Sequence, residues 1–107
     1  MRMPSAGSAM IDRKKLEGYL LSPTHPIGGP KSRFFLRMGF NAAALERTLL
    51  EVAWSGHVSE TTASAHGVKY TVDGVISTPS GRRVKLRTIW IVEQAEASPR
   101  FVTAYPF

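Results

Sequence analysis

Apolar positions follow two regimes along the chain, helical in the first half and alternating in the second. Leu16, Tyr19 and Leu20 stand at i, i+3 and i+4, the spacing of a short amphipathic helix that ends near Leu21. Asp12 is placed to cap it, although Arg13, Lys14 and Lys15 oppose the helix dipole so close to its start. These three charges read either as a solvated face or as cations that have a partner. Pro23 and Pro26 push Ser22 and His25 out of the helical region and hold the link extended. Gly28-Gly29 turns the chain, and Pro30 suits the first position of a second helix because its missing N–H would be unpaired there anyway. That helix carries Phe34, Phe35 and Met38 inward and stops at Gly39, a left-handed cap. Asn41 caps a third helix, Ala42 to Ser55. Leu45, Leu49, Val52 and Ala53 form its stripe, Leu50 and Trp54 widen it, and Gly56 ends it.

From His57 the pattern changes. Val58 to Ala63, rich in Thr and Ser, reads as a polar edge strand, and Ala65-His66-Gly67 as a turn. Val68, Tyr70 and Val72 alternate with Lys69, Thr71 and Asp73, the pattern of a half-buried strand. After a turn at Pro79-Ser80-Gly81, Arg82 to Gln94 is the longest strand, with Val84, Leu86, Thr88, Trp90 and Val92 on one face. Ile89 and Ile91 make its second half apolar on both faces, as in a central strand. Ala97-Ser98-Pro99 leads into a last strand, Phe101 to Tyr105, whose Phe101, Thr103 and Tyr105 share a face by alternation. The expected fold is α+β: three N-terminal helices packed on one face of a four-stranded antiparallel meander sheet. Residues 1–10 read as a flexible tail and 11–107 as a single domain.

Charge changes the picture more than composition does. Fourteen Lys and Arg against eight Asp and Glu make a net charge of +6, which attracts polyanions such as nucleic acid or an acidic protein. With no cysteine there is no disulfide framework, thiol nucleophile or zinc-finger spacing. No apolar run suggests a secretory signal or a membrane span, so the sequence reads as cytoplasmic, or as released by some other route. Three scattered histidines without carboxylates at ligand spacing suggest no metal site, and no cofactor motif is present. His57 and His66 read as surface residues.

Two places can carry chemistry. The N–H groups that open the second helix, with Lys31 and Arg33 in its first turn and His25 just upstream, can receive an anion. The alternative is a helix–helix connection whose prolines only fix geometry. On the longest strand, Arg83, Lys85 and Arg87 alternate onto the face opposite Trp90, where they read as a phosphate cradle or an ordinary solvated face. Thr103 and Tyr105 join them if the register allows; otherwise they are cross-strand packing.

The pattern Lys15-Leu16, Tyr19-Leu20-Leu21, Pro23, His25-Pro26, Gly28, Lys31 and Phe34-Phe35 resembles the opening motif of a bacterial family known only as a domain of unknown function. The likeness continues through Gly39-Phe40, Gly67-Val68-Lys69-Tyr70, Thr88-Ile89-Trp90-Ile91 and Thr103-Ala104-Tyr105-Pro106, over about residues 11–106. A common form of the family has alanine where this chain has Ser32. The element order is in turn similar to that of the barnase, EndoU, colicin and RelE-like ribonucleases. By fold-level analogy this implies a toxin, with RNA as substrate and an acidic antitoxin or immunity-type protein as partner.

Two functions therefore stand side by side. One is a metal-independent ribonuclease that uses the RNA 2′-OH as nucleophile, with His25, Lys31, Arg87, Thr103 and Tyr105 as catalytic residues and Lys15, Arg33, Arg83 and Lys85 as nucleic-acid contacts. A second acid–base group is missing from that set. The other is a non-catalytic basic module that binds an acidic partner or nucleic acid through its charge and an exposed sheet edge.

Overall fold

The computed structural model describes residues 1–22, 29–93 and 98–107. The helices come first in the chain and the strands follow, an α+β order. α1 (Arg13–Lys15) is one α-turn, capped by Asp12, whose carboxylate accepts the Lys14 N–H at 2.9 Å. The backbone then widens into a π-turn over Leu16–Leu20, closed by the Leu21 N–H on the Leu16 carbonyl at 2.9 Å. This corrects the expected regular helix. Leu16 and Leu20 are buried, but Tyr19 is swung out of the apolar stripe and is only half-buried.

α2 (Gly29–Arg37) buries Phe35, and Met38 follows it into the core. Gly39 ends the run at φ 86°, donating to the Leu36 carbonyl at 3.0 Å while Phe40 donates to Phe35 at 3.1 Å. These are the two bonds of a Schellman cap. α3 (Ala42–Ser55) starts on the Asn41 side chain, which accepts the Ala44 N–H at 2.8 Å, and buries Leu45, Leu49, Val52 and Ala53. Trp54 departs from expectation. It is 54% exposed and lies against Gly7, with the Arg2 guanidinium 5.3 Å from its ring centroid.

Four strands, β1 (His57–Ser64), β2 (Gly67–Ser77), β3 (Arg83–Glu93) and β4 (Arg100–Pro106), form one antiparallel sheet in the order β1-β2-β3-β4. One face is apolar: Val72, Ile76, Leu86, Thr88, Trp90 and Ala104 are all buried there. Val52 of α3 comes so close to β2 that a Cβ on Gly74 would stand 3.4 Å from it. Trp90 is fully buried, and its indole N–H donates to the Thr88 hydroxyl at 2.8 Å, which donates to the Val72 carbonyl at 2.8 Å. The only polar atom of the largest core side chain is thus satisfied inside the core.

Two further expectations are corrected. The segment expected as a loose tail is tied to the domain. Met3 and Ala6 are buried, Met10 donates to the Pro99 carbonyl at 2.9 Å, and Phe101 donates back to Met10 at 2.9 Å. Apolar residues spaced too widely to read as an element still bury surface when the turn that carries them packs on a helix, as Ala6–Ser8 does on α3. The second correction concerns β4. Ile89 faces Thr103 and Trp90 faces Phe101, so two β3 neighbours span three β4 residues and Val102 is an extra, bulged residue. The bulge reverses the alternation. Phe101 enters the core, 5.3 Å edge-to-face from Trp90, while Thr103 and Tyr105 stay on the opposite face.

Candidate functional site

The face opposite Trp90 is built in rows, because residues in register across antiparallel strands lie side by side. His57, Asp73, Arg87 and Tyr105 make one row across all four strands, and Thr71, Ile89 and Thr103 make the next. Arg87 lies at the centre of the first row. Its Nε and Nη2 donate to the two carboxylate oxygens of Asp73, both at 2.9 Å. This paired geometry orients the guanidinium and leaves three of its five N–H groups for other acceptors. The Arg87 bonds hold the Asp73 carboxyl below the usual carboxylate range, against the opposing effect of partial burial. The same pair drives the Arg87 guanidinium further into its charged form.

Lys31 reaches this face from α2. Its ammonium donates to the Tyr19 phenol and to the Thr103 hydroxyl, each at 3.0 Å, and those two oxygens are 2.9 Å apart. The three groups form a closed triangle beside Tyr105, whose ring centroid lies 5.6 Å from the Lys31 nitrogen. Lys15 stands 5.0 Å from the Tyr19 ring centroid and donates to the carbonyl of the bulged Val102 at 3.3 Å. The bulge thus frees a carbonyl that anchors α1 to the β4 edge. Burial works to raise the Tyr19 phenol, but the bonds to Thr103 and Lys31 and the charges of Lys31 and Lys15 outweigh it. The net effect is a phenol more acidic than an ordinary tyrosine.

Lys31, Arg87, Thr103 and Tyr105, expected from separate places in the chain, therefore meet on one open face, with Lys15 beside them. Arg83 and Lys85 lie exposed on the same face of β3, towards its start. Arg33 does not join them. It is exposed on α2 two residues from Lys31, a spacing that points the two side chains to different sides of a helix. His25 lies outside the described residues, and so does its expected approach to Lys31. His57 and His66 are exposed. Among the described residues no three His, Cys, Asp or Glu side chains gather as a metal site, and no helix is long and apolar enough to cross a membrane.

Sequence reasoning misses Tyr19, Asp73 and Phe107. Tyr19 reads as part of an apolar stripe, yet a tyrosine at such a position always carries a hydroxyl that needs a partner. Asp73 is a signal in plain view, since a carboxylate on the outer face of β2 can meet an arginine on the outer face of β3. Phe107 places its ring centroid 4.4 Å from the Arg87 guanidinium, a contact that depends on how β4 ends.

A family model described as a domain of unknown function, DUF6883, matches residues 2–107. No curated protein matches the chain. Among solved structures, similarity is found to a chain of a contact-dependent growth inhibition toxin–immunity protein complex from Klebsiella pneumoniae 342. The TM-score is 0.73 at 18% identity, over 91% of this chain and 98% of that one. At that identity the likeness shows a shared fold.

Proposed function

We propose, for a chain that belongs to the DUF6883 family, that the open sheet face is the active site of a metal-independent, toxin-type ribonuclease. One observation carries this reading. The Lys31 ammonium is held 3.0 Å from two hydroxyls and, among the described residues, pairs with no carboxylate. A cation with no counter-ion among the described residues, one strand from a second cation held rigid by Asp73, suits the charge that develops on a phosphate under attack. The structural neighbour, a chain from a complex of a toxin with its immunity protein, supports a role of the toxin or immunity type. In this reading the N-terminal helices back the sheet from the Trp90 side and leave the cationic face to the substrate.

In the reaction, a base removes the proton of the RNA 2′-OH and the freed oxygen bonds to the adjacent phosphorus. The bond from phosphorus to the 5′-oxygen breaks, and an acid protonates that leaving oxygen. The products are a 2′,3′-cyclic phosphate and a 5′-hydroxyl. His25 is the base that the sequence offers. Tyr19, with its lowered pKa, supplies the acid missing from the sequence set. Lys31 and the remaining N–H groups of Arg87 neutralise the non-bridging oxygens, Thr103 holds Lys31 and Tyr19 in place, and Tyr105 flanks both cations. Lys15, Arg83 and Lys85 add phosphate contacts, and Arg33 contributes to the general field.

The test is incubation of the purified protein with tRNA or total RNA in EDTA. Discrete fragments ending in 2′,3′-cyclic phosphate are expected, with cleavage lost in folded His25→Ala and Lys31→Met variants. Intact RNA across several substrates would overturn the ribonuclease. That outcome would favour a basic module that binds an acidic antitoxin or immunity-type protein, a reading to which the exposed β1 edge also lends itself.

A further inference from the structure

Past the Arg87 row the cationic face ends in exposed apolar surface. Phe107 is 51% exposed and Val75 is 58% exposed, although both flank charged residues. They line a cleft of about 200 Å³ together with Asp73, Gly74 and Lys85. Phe107 does not hang free. Its N–H donates to the Lys85 carbonyl at 3.3 Å, continuing the β3–β4 ladder, and its ring lies 4.4 Å from the Arg87 guanidinium. An aromatic ring is therefore fixed by backbone on one side and by a cation on the other, at the rim of the phosphate-binding row. Packing of Arg87 alone does not require an aromatic here, nor an exposed valine beside it.

We propose that Phe107, with Val75 and the aliphatic stem of Lys85, forms a nucleobase subsite for single-stranded RNA, a proposal that rests on the ribonuclease reading of the same face. A phosphate held by Arg87 brings its own or the neighbouring base over this cleft. The base then stacks on Phe107 while Arg87 supports the ring from beneath. Because every base presents a π-face, the subsite selects unpaired nucleotides over duplex rather than one base over another. Charge complementarity names the occupant: Arg83, Lys85 and Arg87 line the approach along β3, matching a phosphate backbone.

The experiment separates binding from cleavage. A short, fluorescein-labelled 2′-O-methyl RNA of mixed sequence, which lacks the nucleophile, is titrated by anisotropy beside an abasic oligomer of the same backbone. Wild type should prefer the base-bearing oligomer by about 5- to 150-fold. Phe107→Ala should abolish that preference and keep the salt-sensitive affinity for the abasic chain. Phe107→Leu, which still covers Arg87 but has no π-face, should behave like Phe107→Ala, and Phe107→Trp should retain the preference. Equal binding of both oligomers by wild type, failure to bind either, or an undiminished preference in Phe107→Ala would each overturn the subsite. Cleavage of natural RNA is read separately. Base-dependent binding without cleavage keeps the subsite and removes the ribonuclease, and cleavage without base dependence does the reverse.

Discussion

Lys31 is the residue through which α2 acts on the sheet, and its replacement is the sharpest test of the site. Lys31→Met keeps the length of the side chain and removes the charge, and should lower cleavage roughly 10²- to 10³-fold, the usual cost of one donor to a developing oxyanion. Tyr19 carries a pH signature. Its phenol is held below the ordinary tyrosine range of about 10, so an acid role makes the rate fall as pH rises through that lowered pKa. Tyr19→Phe should remove this alkaline limb together with most of the rate. In Lys31→Met the Tyr19 titration, followed by ultraviolet absorption, should move upward. A Tyr19 titration insensitive to Lys31 would break the proposed link between them.

Among the elements, the two helix ends lend themselves to simple stability measurements. Asn41→Ala removes the acceptor of the Ala44 N–H and should destabilise the protein by about 0.5–2 kcal/mol in urea unfolding. Gly39→Ala places a Cβ at φ 86°, 3.3 Å from Pro79, and should cost about 1–2 kcal/mol from the left-handed backbone alone. No loss in Gly39→Ala would mean that the chain ends α2 in another way. Both ends are legible in the sequence because capping chemistry is local: an amide side chain before a helix and a glycine after it state their roles within a few residues. The π-turn at Leu16–Leu20 is not legible, since its extra residue per bond serves to bring Tyr19 to Thr103, 84 residues away.

For the molecule as a whole, stability should turn on the polar chain inside the core. Thr88→Val preserves shape but strands the buried Trp90 N–H, at a cost of roughly 1–3 kcal/mol. Each kcal/mol should lower Tm by about 4–8 °C in a domain of this size, measurable by calorimetry. Acid unfolding should report the outer face instead. The Asp73 carboxyl has a folded pKa below its unfolded value of about 3.9. Its contribution is complete above that value and is lost as pH falls through the lower, folded pKa. The wild type should therefore lose stability more steeply than Asp73→Asn below about pH 4. Parallel curves for the two proteins would show that the Arg87 pair adds nothing to folding.

The order of elements and the opposition of Trp90 to Arg83, Lys85 and Arg87 follow from the sequence by itself. Periodicity is a short-range property, and a side chain on a strand has only two faces to choose from. The composition of the site was decided by tertiary structure. The single extra residue at Val102 sends Phe101 into the core and keeps Thr103 and Tyr105 outside, a choice that alternation alone gets wrong for Phe101. The meeting of Lys31 with Tyr19 and Thr103 joins positions 12 and 72 residues from Lys31 along the chain. The tie of Met10 to Pro99 and Phe101 at the start of β4 likewise depends on an edge that exists only once the sheet has formed. Such contacts are set by register and by which edge is left open, and neither is written in the spacing of any one segment.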